Sequence, residues 1–338
     1  MLDAVKDLIK NPYRAFELAN KLREETKGDV VTYVVNRNIN FTDICVNSCL
    51  FCSFSNRRRY FLSEEQIKQK VREAVNYGCT EVTIQGGLFP NPSIEDYLRI
   101  LRAVREVSSD IHIHAFSPME VLHVARNEGM SVEDVLIEFK RNGLNSMPGT
   151  AAEILVDDVR KKICPQKLKT EEWIEIIKTA HDLGIPTTAT IMYGHIETWE
   201  DRIKHLEIIR SIQEETGGFT EFIPLPFMDK NNKLGEITSS PNGFEDLLVI
   251  AISRIYLHPL IENIQASWVK MGKKLAQAAL FMGANDLGGT LMEENISKAA
   301  GATSGEFLPV EEMRQLIIAA NRIPAQRDTL YNIIRYEG

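Results

Sequence analysis

The chain has 338 residues, 44% of them hydrophobic and 25% charged, with a net charge of −8. That composition suits one barrel-sized domain or two smaller ones, and the lack of a basic block argues against a nucleic-acid partner, which needs clustered Lys and Arg. Apolar runs fall well short of the ~20 residues that span a bilayer, and the acidic start, Met1-Leu-Asp-Ala-Val-Lys-Asp7, has no signal-peptide character.

In chain order, residues 2–27 carry two apolar stripes at helical spacing, Leu2, Val5, Leu8 and Ile9, then Ala15, Leu18, Ala19 and Leu22. Val30–Val35 reads equally as an extended run or a short helix. From Asn38 an alternation of strands and helices sets in. The strand-like runs are 38–44, 81–85, 111–116, 144–147, 186–193, 219–225, 261–268 and 281–287. Helical patterns separate most of them, and Ser63-Glu-Glu-Gln66 has the form of a capping box. Two short helices, 119–127 and 131–142, share one crossover. Eight β-then-α units predict an α/β fold, a parallel (β/α)8 barrel. The expected division is a helical extension over 1–37, the barrel over 38–291 and a helical cap over 292–338. The polar loop Lys230–Gly243 follows strand six and reads as a substrate lid or as a surface insertion.

The chemistry concentrates in Cys45-Val-Asn-Ser-Cys49-Leu-Phe-Cys52, directly after the first strand. Three thiolates at this spacing can converge on one iron–sulfur cluster. A [4Fe–4S] cube usually takes four protein thiolates, so three leave one iron open to a small ligand. A zinc site and three ordinary buried cysteines are the alternatives. Structural zinc wants four N/S ligands, commonly in two CxxC-like pairs, and the chain has no second pair. Cys79 and Cys164 read as core thiols. Five cysteines of which three cluster fit a reducing, cytoplasmic compartment.

In a parallel barrel the active site forms at the C-terminal ends of the strands, which yields a residue set directly. Gln85-Gly86-Gly87 follows strand two, where glycines let backbone approach a ligand closely; a tight turn explains them equally. His112 and His114 share one face of strand three, as ligand contacts or as core histidines. Glu153 and Arg160 lie seven apart, about two turns of a helix, and so on one face if that segment is helical. His195, Glu197, Glu221, Gln265, Trp268 and Asp286 end strands five to eight. Of these, His195, Glu197 and Asp286 are the expected catalytic set. His195 or Glu197 could move protons, and any of the three could instead cap a strand.

The CxxxCxxC loop, with aromatic Phe51 before its last cysteine, resembles the signature of the radical SAM superfamily. That resemblance implies a [4Fe–4S] cluster on Cys45, Cys49 and Cys52, S-adenosylmethionine (SAM) on the open iron, and one-electron SAM cleavage to a 5′-deoxyadenosyl radical. It implies SAM contacts from Phe51, Gln85, Gly86, Gly87, His114, Glu153 and Arg160, with Glu153 on the ribose and Arg160 on the carboxylate. Further segments, Asn145–Leu155, Thr187–His195, Gly217–Phe227 and 283–295, are similar to the second-subunit family of archaeal deazaflavin (FO) synthases. The resemblance covers residues 30–333. It implies transfer of the 4-hydroxybenzyl group of L-tyrosine to 5-amino-6-(D-ribitylamino)uracil, with release of iminoacetate, a low-potential electron donor, and a separate ring-closing subunit. The radical SAM enzymes of the futalosine route to menaquinone are the alternative. A non-catalytic iron–sulfur scaffold or electron carrier is the alternative outside enzymes.

Overall fold

A computed structural model describes residues 2–337. Two helices, Leu2–Lys10 and Pro12–Lys27, lead into β1 (Val30–Val34) and β2 (Asn36–Asn40), which run on as one stave interrupted at Val35. The ambiguous Val30–Val35 run is therefore extended, and the expected boundary at residue 38 falls inside the first stave. The remaining strands are β3 (Glu81–Gln85), β4 (His112–Ala115), β5 (Thr187–Tyr193), β6 (Phe219–Pro226), β7 (Asp286–Gly289), β8 (Ile323–Arg327) and β9 (Ile333–Tyr336).

The first stave is what closes the barrel. Its lower half pairs in parallel with β7, and its upper half pairs in parallel with β3. β3 pairs with β4, which reaches β5 through single bridges at Ser146 and Met147. β5 pairs with β6, and bridges at Ile264 and Gln265 return the circuit to β7. Eight parallel positions thus close in a ring. Staves four and seven are bridges rather than full strands because asparagine side chains replace backbone partners. Asn145 Oδ1 accepts from the Ile113 amide at 2.8 Å. Asn263 Nδ2 donates to the Thr220 carbonyl at 2.9 Å, and Asn285 Oδ1 accepts from the Ile264 amide at 2.9 Å. The last stave starts at Asp286 rather than 281, because the chain is still leaving the helix Lys273–Ala279 and turns at Gly283, whose φ of +108° favours glycine.

The helices form where the sequence marks them. Ser63 Oγ accepts from the Gln66 amide and Gln66 Oε1 accepts from the Ser63 amide, opening the helix Glu64–Tyr77 with the expected capping box. The crossover after β4 holds two helices, Pro118–Glu128 and Val132–Arg141.

The tail departs from the helical cap expected of it. After helices Asn295–Ala299 and Val310–Ile318 it turns into the β8–β9 hairpin. β8 pairs in parallel with β1, Val30 opposite Ile323 through Val34 opposite Arg327. This seats the hairpin at the N-terminal end of the barrel, opposite the cysteine loop. Arg327 reaches inward and forks onto Asp286, with Nε to Oδ2 at 2.6 Å and Nη2 to Oδ1 at 3.2 Å. Thr329 donates to Glu81 and Tyr331 to Glu221, each at 2.7 Å. These bonds make a polar floor. Among the described residues no helix is long and apolar enough to cross a membrane.

Candidate active site

A cavity of about 430 Å³ fills the barrel from this floor to the cysteine loop. Cys45, Cys49 and Cys52 all line it, as does Phe51, whereas Cys79 and Cys164 are buried without lining it, Cys164 close enough to Cys49 to bear on its charge. The loop is pinned on several sides. The Val46 amide donates to the Leu88 carbonyl and the Leu50 amide to the Ile163 carbonyl, both at 2.8 Å. Asn56 closes it with two bonds, accepting from the Cys45 amide at 3.2 Å and donating to the Cys45 carbonyl at 2.7 Å. Asp43 takes the amides of Arg58, Arg59 and Tyr60, which leaves Arg57, Arg58 and Arg59 on an exposed turn. The long polar loop packs onto the cysteine loop, with the Leu234 amide donating to the Leu50 carbonyl at 2.9 Å.

Among the described residues no three Cys, His, Asp or Glu side chains are grouped to hold one metal ion. A cubane makes no such demand, since each thiolate binds its own iron. Burial pushes the Cys49 thiol up to about 12 against the opposing charge of Lys167, and a bound cationic cluster reverses that preference outright. Three thiols on one loop, at the rim of a cavity to which no other cysteine contributes, fit a cluster with one iron left for a small ligand.

Gln85, Gly86 and Gly87 lie against that loop and line the cavity. A Cβ on Gly87 would stand 2.3 Å from the Ile44 carbonyl oxygen and 3.1 Å from Cys45 Cβ. One on Gly86 would meet the Phe41 ring at 2.6 Å. Gly87 therefore lets the second stave close onto the start of the cysteine loop, and Gly86 lets it close onto the Phe41 ring. Gly87→Ala is expected to cost about 1–3 kcal/mol by overpacking and to lower the iron bound after reconstitution. Thermal melts and iron assays that match the wild type would refute this.

The structure separates the remaining expected site residues. His114 lines the cavity, its Nδ1 2.7 Å from Ser146 Oγ, and burial lowers its pKa so that the ring stays neutral. His112 shares the same hydroxyl at 2.7 Å. Glu153 also lines the cavity, but not from a helix. It sits at φ +47°, ahead of the helix Asp157–Ile163. Burial opposes its charge, yet the Lys167 ammonium, in direct contact, holds its carboxyl below the usual range. Arg160 is a correction. Its guanidinium is buried and bonds the carbonyls of Ala151, Ala152, Ile154 and Leu168, and it does not reach the cavity. It shapes the loop that carries Glu153.

The expected catalytic set also lies outside the cavity. Glu197 takes the amides of Gly194 and His195 and pairs with Arg202 at 2.7 Å. His195 Nδ1 is 3.0 Å from Glu197 Oε2, with no exposed side-chain surface. Asp286 is the floor partner of Arg327. All three hold backbone or floor rather than facing a ligand. In their place the cavity presents Lys167, Lys270 and Glu120, which sequence reasoning passed over. Burial pushes the Glu120 carboxyl up to about 7, against hydrogen bonds from Ser117 and Gly86. No local motif marks Lys167 or Lys270; Glu120 alone had a signal, as the third residue after Ser117 in a capping box.

Residues 39–209 match the model of the radical SAM superfamily. The chain belongs to that superfamily. Residues 216–337 match the CofH/MqnC C-terminal region. Similar curated proteins are named 5-amino-6-(D-ribitylamino)uracil--L-tyrosine 4-hydroxyphenyl transferase. The one from Archaeoglobus fulgidus is 69% identical, covering 98% of this chain and 96% of its own length. That from Methanococcoides burtonii is 57% identical, covering 98% and 95%. Among solved structures, methylornithine synthase superposes with a TM-score of 0.73 at 19% identity, over 92% of this chain and 88% of its own. The maturase HydG gives 0.68 at 14% identity, over 92% and 68%. These two carry the barrel fold alone. Membership in the superfamily implies a [4Fe–4S] cluster and SAM.

Proposed function

We propose that this radical SAM protein transfers the 4-hydroxybenzyl group of L-tyrosine to C5 of 5-amino-6-(D-ribitylamino)uracil, releasing 2-iminoacetate. The observation that carries this reading is 69% identity along nearly the whole length of a relative with that name. Cys45, Cys49 and Cys52 would hold the cluster, which with SAM supplies one-electron cleavage and a carbon radical. The protein's own part is to bind, orient and keep water out.

Gly87 brings backbone against the cysteine loop, where the methionine end of SAM would lie. Glu153, kept ionised by Lys167, can accept hydrogen bonds from ribose hydroxyls. His114, neutral and fixed by Ser146, offers one imidazole edge to the cavity. Asn38, Asn40, Gln265, Thr188 and Thr190 line the barrel wall, a run of amides and hydroxyls suited to a polyol and a uracil edge. The β8–β9 floor shuts the far end, which helps hold both substrates together away from bulk water.

One CxxxCxxC loop serves one SAM site, so ring closure belongs to a separate subunit, and a low-potential donor must reduce the cluster. Five free thiols suit a reducing cytoplasm.

The test is anaerobic turnover of the reconstituted protein with dithionite, SAM, L-tyrosine and the ribityl-diaminouracil, followed by mass spectrometry. A tyrosine-dependent adduct is the expected result. Deoxyadenosine without adduct, joined by turnover of a futalosine-type nucleoside, would overturn the substrate assignment.

A further inference from the structure

Three lysine and arginine side chains line the cavity among the described residues, and two of them are already neutralised. Lys167 pairs with Glu153, and Arg327 forks onto Asp286. Lys270 has no such partner. It sits on the short helix Trp268–Met271, just past stave seven. Among the described residues its Nζ finds only the Met228 thioether, at 3.9 Å, as a hydrogen-bonding neighbour. The surface it keeps faces this cavity and an adjoining polar recess of about 210 Å³. Burial lowers its pKa, and the carboxylates that oppose this, Glu294 and then Glu153, act from beyond ion-pair distance. Both are committed elsewhere. Glu294 caps Ile296 and Ser297 with one oxygen and takes Asn38 Nδ2 with the other.

A partly desolvated ammonium without an anion is costly to keep. A ligand that brings an anionic group into the cavity removes that cost. The ribityl-diaminouracil has no anionic group. The SAM carboxylate belongs at the open iron on the cysteine loop. L-Tyrosine brings a free carboxylate.

We propose that Lys270 binds the α-carboxylate of the amino-acid substrate and so fixes which end of tyrosine faces this wall of the barrel. The proposal rests on the tyrosine reading above.

Calorimetric titration of the SAM-loaded, unreduced holoenzyme tests it without turnover. L-Tyrosine and tyramine, which lacks the carboxylate, are the two probes. Loss of one charge-assisted hydrogen bond corresponds to about 10- to 100-fold in affinity. The wild type is expected to prefer tyrosine by that factor. Lys270→Met should bind tyrosine correspondingly more weakly, leave tyramine unchanged and retain its iron. Lys270→Arg should keep most of the preference. Equal tyrosine affinity in Lys270→Met, or equal affinity of the wild type for the two probes, overturns the Lys270 assignment and leaves the substrate reading standing. A wild type that binds neither probe overturns both. Should Lys270→Met fail to hold its cluster, the wild-type ratio decides.

Discussion

Cys45→Ser, Cys49→Ser and Cys52→Ser should each lose the iron–sulfur signature and, with it, reductive cleavage of SAM. Iron–sulfur clusters are held by thiolates, and a serine hydroxyl is a hard and far less acidic substitute. The surrounding structure offers no rescue. The loop is anchored at Val46, Leu50 and Asn56, so its remaining cysteines cannot shift to share the load. Cys79 lies against Met292, its Sγ 3.5 Å from the Met292 sulfur. Cys164 is buried at the end of the helix Asp157–Ile163 and does not line the cavity. The loss should exceed the roughly 10- to 100-fold that follows removal of an outer-shell partner from a metal site. Iron and sulfide assays, electron paramagnetic resonance of the reduced protein and deoxyadenosine yield would measure it. Cys79→Ser should retain all three properties. A Cys49→Ser protein that keeps its iron and still cleaves SAM would refute the assignment, as would a Cys164→Ser protein that loses both.

Local covalent spacing explains why this loop could be read from the sequence. Three cysteines within eight residues share a loop however the rest of the chain folds. Capping boxes are local in the same way, and Ser63 with Gln66 forms as expected. The strand-end rule of parallel barrels then located Gln85, Gly86 and Gly87 without any contact information. It failed at His195, Glu197 and Asp286 because a polar residue at a strand end can turn toward a ligand or toward the protein. The choice is made by partners the local pattern does not reveal. Glu197 is taken by Arg202, five residues on, and Asp286 by Arg327, 41 residues on. The shared helical face expected of Glu153 and Arg160 failed for a different reason, although Glu153 does line the cavity. The helical spacing assumed a helix from 153, whereas Glu153 sits at positive φ and the helix opens at Asp157. Staves four and seven were legible as strands but form as bridges, since a side-chain amide can do the work of a backbone partner. Lys270 had no signal at all. Among the described residues it has no carboxylate within ion-pair distance, a circumstance that only the folded chain defines.

Arg327→Leu should destabilise the protein by about 3–5 kcal/mol, the range found when one member of a buried ion pair is removed. Asp286 is wholly buried at the barrel floor. It would keep the Thr32 hydroxyl at 2.5 Å and the Gly288 amide at 2.6 Å, but it would lose both guanidinium bonds and the countercharge. Glu221, 3.8 Å from the same guanidinium, would face Asp286 without the cation between them. The Tyr331 ring, 3.8 Å from the guanidinium carbon, would lose its cation–π partner. The pair's net value is a separate matter. Desolvating two ions offsets much of their attraction, so an apolar replacement of both is often neutral or stabilising. Arg327→Leu combined with Asp286→Leu should therefore recover part of the loss, and the double-mutant cycle isolates the coupling. Anaerobic urea titration of the holoenzyme provides the measurement. A single variant within about 1 kcal/mol of the wild type, the ordinary scale of a solvent-exposed pair, would show that water reaches this floor. The barrel would then be open at both ends, and the hairpin could not be what separates the substrate cavity from bulk solvent.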